Sequence, residues 1–165
     1  MTGSYGILTI MSSESPNEGP YLGGLLRLGW QWVREQIFSG VLAAGYDDLN
    51  PAHVGLFRHP TLDRQRPSAL ADQLQITRQS VNDLLGHLEQ CGYLTRETDP
   101  ADGRARVVRL TAKGRRLEKT INGHAQAAEL KIAELLGPRR FSQLRNALEE
   151  LANYVTPTTG RLSDD

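Results

Sequence analysis

Cysteine is nearly absent from this chain: Cys91 is the single thiol in 165 residues. One thiol excludes an intrachain disulfide framework and suits a reducing compartment, so a cytoplasmic protein is expected. Long apolar runs are missing too. No stretch approaches the roughly 20 residues that span a bilayer. The short run from Ile7 to Met11 follows no basic segment, so it reads as neither signal peptide nor anchor, and no membrane partner is expected. Net charge is also lacking, since 19 Lys and Arg balance 19 Asp and Glu. That argues against a generic polycationic coat for nucleic acid and makes the distribution of charge the informative quantity. The four histidines, His53, His59, His87 and His124, show no His-x-x-x-His spacing, and no Cys-x-x-Cys occurs, so no metal site is expected. Phosphate loops, dinucleotide loops, Gly-x-Ser-x-Gly and paired-carboxylate arrangements are missing as well. Neither an enzyme nor a cofactor is expected.

What the chain does contain is a stretch from Arg66 to Gly114 around which the rest is organised. Pro67 suits the first position of a short helix, with Leu70, Ala71 and Leu74 along one side. Gln75-Ile76-Thr77 breaks it, and Thr77 is a good N-cap for a second helix. There Val81, Leu84, Leu85 and Leu88 recur at i, i+3, i+4 and i+7. The opposite face carries Gln79, Asn82, Asp83 and Gly86, flanked by Arg78 and Ser80. Asn and Gln match adenine edges, Arg matches guanine, and Ser matches a base or a phosphate. A solvated surface helix carries the same residue types, so this face alone leaves both readings open.

Two short strands follow, over Tyr93–Thr98 and Arg106–Leu110, around a turn with Pro and Asp-Gly chemistry. Arg104 and Arg106 fall at or near its tip, within reach of a minor groove or flanking phosphates. Asp102 is expected to pair with one of these two arginines and aim it. The alternative is an exposed ion pair worth well under ~1 kcal/mol. Helix, turn, helix and wing, in that order, lay one helix in the major groove of DNA. Arg78, Gln79, Ser80 and Asn82 are then the base-reading residues. Ser68 and Thr77 are candidate phosphate contacts, and Arg104 and Arg106 anchor the wing. From Arg96 to Arg116 seven basic residues face three acidic ones, a local excess of +4 in a neutral chain.

The run Asp99-Pro100-Ala101-Asp102-Gly103-Arg104, followed by Leu110-Thr111-Ala112-Lys113-Gly114, resembles the wing signature of the MarR family of winged-helix transcriptional regulators, Asp-x-Arg and then Leu-Thr-x-x-Gly. In element order the resemblance covers roughly Tyr21 to Tyr154. It implies a homodimer on a palindromic operator, with the helix over Thr77–Gln90 reading bases and Arg104 working at the wing tip. It also implies a pocket between dimerisation helices and winged domain for a small aromatic or phenolic effector. Trp30, His53 and Phe57 are candidates for its lining, with ordinary core as their other reading. One position departs from the pattern: Asp83 stands where many members carry a basic or small residue. A carboxylate there accepts from a cytosine amino group, or neutralises Arg78 or His87. Relatives that sense oxidants use a cysteine near the first helix, and this chain has none there.

The remaining chain supplies the frame. Residues 1–19 read as a tail, with Met1 and Met11 both candidate starts. Residues 20–45 form a dimerisation helix with Leu22, Leu25, Leu26, Val33, Ile37, Val41 and Leu42 in one stripe, widened by Trp30, Trp32 and Phe38. Residues 46–111 are the winged helix-turn-helix, entered through a helix opened by Asn50-Pro51 and stopped by His59-Pro60. Residues 112–156 are two further dimerisation helices, and 157–165 a second tail. The helix from Ala112 to about Leu136 is roughly 37 Å long, more than a small winged domain can cover. The fold class expected is mainly α with a small β wing. The function expected is a sequence-specific regulator of double-stranded DNA, a repressor relieved by a small ligand. The rivals are a winged-helix protein-interaction module, kept open by Asp83, and a ligand- or metal-binding dimer without DNA.

Overall fold

The structure, a computed structural model, describes residues 20–57 and 61–155. The two expected tails and the His59-Pro60 helix stop lie outside the described residues. Six helices and one hairpin follow in the order α1 (Leu22–Ala43), α2 (Pro51–Leu56), α3 (Pro67–Leu74), α4 (Arg78–Gln90), β1 (Leu94–Asp99), β2 (Asp102–Leu110), α5 (Ala112–Leu136) and α6 (Pro138–Val155). The chain is mainly α with a two-stranded wing. It divides into two compact units at Trp32/Val33, within α1.

Local chemistry sets the element ends. Asn50 caps α2, its Oδ1 accepting from the N–H of Ala52 at 2.9 Å and of His53 at 3.1 Å. His53 Nδ1 accepts the Asn50 N–H in return at 3.2 Å, a capping box closed by histidine in place of Glu or Gln. Thr77 and Thr111 cap α4 and α5 through bonds to Ser80 N and Gly114 N. The turn between α3 and α4 passes through Gln75 in the left-handed region, φ 54°. This lets the Ile76 N–H reach back to Ala71 O, so the chain reverses without a glycine.

The core lies in the second unit, where Leu62, Val81, Leu85, Leu88, Leu94, Val108 and Leu117 are sealed from solvent. They come from α4, both strands, α5 and the link before α3, so α4 is seated through Val81, Leu85 and Leu88. That link is more than a polar connection. Arg64 N–H donates to Val108 O and Val108 N–H to Gln65 O, so residues 64–65 line the free edge of β2. Two residues are too few to show a strand pattern in sequence. By contrast α6 buries no residue, and Leu144, Leu148 and Leu151 are each about two-fifths exposed. In the first unit Leu22, Leu25 and Leu28 are half or more exposed.

Candidate nucleic-acid interface

The polar face of α4 is displayed as the sequence expects. Arg78, Gln79, Ser80, Asn82 and Asp83 are all exposed, while Val81, Leu85 and Leu88 beneath them are buried. Thr77 Oγ1 accepts the Ser80 N–H at 3.1 Å and bonds Ser80 Oγ at 2.8 Å. Its hydroxyl therefore serves the helix cap first. Arg78 and Gln79 carry no side-chain hydrogen bond or ion pair among the described residues. Ser68 is exposed on the first turn of α3.

The wing differs from its expected form. β2 begins at Asp102 rather than Arg106, leaving Pro100 and Ala101 as the turn. Thr98 pairs with Arg106 and Asp99 with Asp102, so Gly103, Arg104 and Ala105 have no partner in β1. That three-residue bulge lifts Arg104 out of the ladder into solvent. Arg106 is instead a paired strand residue whose Nη1 turns back to the Arg96 carbonyl at 3.2 Å. The two arginines therefore do not share the tip.

Asp102 also departs from its expected partners. Its Oδ1 accepts the Arg104 backbone N–H at 3.1 Å, and its nearest guanidinium is that of Arg66, at 3.8 Å. The bulge explains this, because it turns the Arg104 side chain away while bringing its N–H under the carboxylate. Arg66 binds Asp99 more closely, Nε to Oδ2 at 2.7 Å, and so ties the start of α3 to the wing. The N–H of Ala101, then Arg66, hold the Asp99 carboxyl below its usual range.

Charge on this face is sparser than the sequence count suggests. Arg96 forks onto Glu89, Arg109 meets Glu97 at 3.4 Å, Lys113 meets Asp48 at 3.3 Å and Arg115 meets Asp63 at 3.9 Å. Three of those four acids lie outside the window that gave the excess of +4. Among the described residues, Arg64, Arg78, Arg104, Arg106 and Arg116 are the cations near α4 and the wing left without a carboxylate.

Behind α4 lies a polar joint that sequence reasoning missed. The His53 and His87 rings stack at 4.2 Å and 4°, and His87 Nε2 reaches the Asp48 carbonyl at 2.7 Å. Tyr93 Oη donates to Asp48, while Lys113 Nζ donates to Asp48 and to the Cys91 carbonyl and lies 4.0 Å from the Tyr93 ring centre. Burial, reinforced by His87, lowers the proton affinity of His53 against the pull of Asp48. Burial works to raise the Asp48 carboxyl, but bonds from Tyr93 and Lys113 prevail and hold it low. Burial and then Asp48 push the Cys91 thiol up, which makes it a poor nucleophile.

Trp30, His53 and Phe57, the candidate lining residues of a ligand pocket, do not border the cavity beside α2. His53 and Phe57 are buried, His53 within this joint and Phe57 in the core. Trp30 belongs to the first unit and is 42% exposed. A cavity of 410 Å³ opens instead on the other side of α2, lined by Arg34, Pro51, Leu56, Leu74, Ile76 and Leu84 among others. The capping box holds His53 in the joint, and the small residues Ala52 and Gly55 of α2 line the cavity wall.

Comparison with known proteins shows what this geometry is similar to. A model described as the MarR family matches residues 56–105, from the end of α2 to the bulge of the wing. Over that stretch the chain is similar to the MarR family. An HTH-type transcriptional repressor of Mycobacterium tuberculosis is 30% identical over 84 residues, 51% of this chain and 60% of the relative. The chain thus spans about three-fifths of the curated relatives it matches. Among solved structures, the repressor CouR bound to a 23-mer DNA duplex is 26% identical, with TM-score 0.62 over 79% of this chain and 92% of its own. A MarR family protein of Mycobacterium tuberculosis in complex with salicylic acid is 26% identical, with TM-score 0.60 over 81% and 98%. A transcriptional regulator of Thermotoga maritima is 27% identical, with TM-score 0.54 over 80% and 92%.

The MarR-type wing signature has a local physical reason in this chain. Thr111 caps α5 and also donates to the carbonyls of Gly92 and Tyr93 at 2.7 and 3.1 Å. Gly114, one turn on, lies so close that a Cβ there would meet Tyr93 O at 2.0 Å. Thr and Gly at this spacing let α5 start flush against the strand that leaves α4.

Proposed function

We propose that this chain is a MarR-type, sequence-specific regulator of double-stranded DNA that acts as a homodimer, a repressor released by a small organic acid. One observation carries the reading: the exposed polar face of α4 is capped by Thr77 and carries uncompensated Arg78, and the bulge of the wing lifts uncompensated Arg104 into solvent. Seen from the chemistry, Arg78, Gln79, Ser80 and Asn82 meet base edges while Arg104 and Arg106 meet backbone. Ser68 and the amides at the Thr77 cap serve phosphates. The DNA-bound CouR structure, similar over most of this chain, supports the same use of the fold.

A second copy of the chain is the partner for the leucine face of α6 and for the leucines of the first unit, which find too little cover within one copy. Two-fold pairing sets two recognition helices about 34 Å apart, one turn of DNA, and so calls for a palindromic site. The 410 Å³ cavity suits a small ligand. Its mostly apolar wall and one cation, Arg34, favour an aromatic carboxylate, in line with the salicylic acid held by the mycobacterial relative.

The test is fluorescence anisotropy with DNA from upstream of the protein's own gene against scrambled DNA, across a salt series. Selective binding with a steep salt slope is expected. Equal weak binding to this DNA and to genomic fragments selected for binding would overturn the reading in favour of a protein-interaction module.

A further inference from the structure

The wing and the recognition helix meet at Arg96. From β1 its Nε and Nη2 grip Glu89 Oε2 at 2.9 and 2.7 Å, and its own N–H donates to Glu89 Oε1 at 3.1 Å. Three bonds to one carboxylate hold the guanidinium in place, two turns along α4 from Asn82. The remaining branch, Nη1, then points at Asn82 Oδ1 at 3.4 Å. Arginine has donors only, so it selects one of the two orientations of the Asn82 amide. With the amide turned the other way, two sets of N–H groups would face each other.

That choice has a consequence for DNA. A free asparagine reads adenine by accepting from N6 and donating to N7 together. With Oδ1 turned to Arg96, the NH₂ group is the end of the Asn82 amide turned away from it and left for a base. We propose that Arg96 sets the base preference of Asn82, turning it from an adenine reader into a donor that selects a base edge of acceptors, guanine O6 and N7 or thymine O4. The proposal rests on α4 being the recognition helix. Arg96 is thereby a positioning residue: it touches no base and acts through the amide it orients.

Selection from a pool of randomised duplexes, read by sequencing, tests this on the full-length protein, with wild type, Asn82→Ala and Arg96→Met compared. Asn82→Ala identifies the base pair that residue 82 reads, as the position at which preference disappears. Wild type should favour guanine or thymine there, and Arg96→Met should move the preference toward adenine by about tenfold. Adenine in the wild-type site would overturn the proposal, as would an Arg96→Met profile that keeps guanine or thymine while only overall affinity falls. So would an Asn82→Ala profile with no position changed. If Arg96→Met fails to fold, the wild-type base at the Asn82 position still decides. A wild type that selects no sequence refutes the recognition-helix reading itself, before any variant is compared.

Discussion

Adding one methyl group at Gly114 should unseat the wing from α5. A Cβ there would lie 2.0 Å from Tyr93 O, 3.1 Å from Tyr93 C and 3.2 Å from Leu110 Cδ2. Even a weak C–H···O contact needs about 3.3 Å, so helix and carbonyl must part by about 1.3 Å. The obstacle is backbone, which cannot rotate aside as a side chain does. Parting also stretches the bonds from Thr111 N and Oγ1 to the same carbonyl, each 3.1 Å. Overpacking of this kind costs about 1–3 kcal/mol, and a weakened cap about 1 kcal/mol more. Alanine returns about 1 kcal/mol through its helix propensity. The net loss is about 1–3 kcal/mol, read as a lower urea midpoint at unchanged slope. At about 2–4 °C per kcal/mol for a chain of this size, the melting temperature should fall by about 2–12 °C. Gly123, on the same helix, is exposed, and a Cβ there would meet nothing within 4 Å. Gly123→Ala should therefore raise stability by up to ~1 kcal/mol. Protein concentration must be held constant, because dimerisation would add to both values. Equal shifts for the two variants, or a stable Gly114→Ala, would refute the reasoning.

The His53–His87 joint predicts acid sensitivity. The proton affinity of His53 is lower folded than unfolded, so below about pH 6.5 the unfolded chain binds the proton first and stability falls until the folded value is passed. His53→Asn keeps an acceptor for the Asn50 N–H but cannot titrate. Urea midpoints from pH 7.5 to 5.5 should fall for wild type and flatten for the variant; parallel slopes would remove His53 as the cause. At the wing, Arg104→Ala should flatten the dependence of log affinity on log salt by about one unit. Arg109→Ala, already paired with Glu97, should change it less, and the reverse order would contradict the assigned roles. On α6, Leu148→Glu should yield a monomer by light scattering and abolish tight operator binding, whereas a dimer that persists would place the interface elsewhere.

The helices were legible because their signals are local. Asn50-Pro51, Thr77 and Thr111 state their caps in the residue itself, and Val81, Leu84, Leu85 and Leu88 repeat with the helical period. Which residues of α4 face outward follows from that period alone. The wing was legible as a hairpin, but its bulge was not, since Gly103, Arg104 and Ala105 lose their partners through a pairing register that no single strand encodes.

Charge shows the same division. Composition places seven cations around the wing, yet it takes the fold to bring Asp48, Asp63 and Glu89 against Lys113, Arg115 and Arg96. What remains for a polyanion is then a short set around Arg78 and Arg104. Sequence by itself determined the order of elements, the outward face of α4 and the family signature, because each depends on neighbours a few residues apart. Tertiary structure alone decided where Asp102 and Arg106 bond, that His53 stacks on His87 rather than lining the cavity, and which way the Asn82 amide points. Those contacts close over separations from two residues to several tens, and their geometry is set by how the helices seat on the common core.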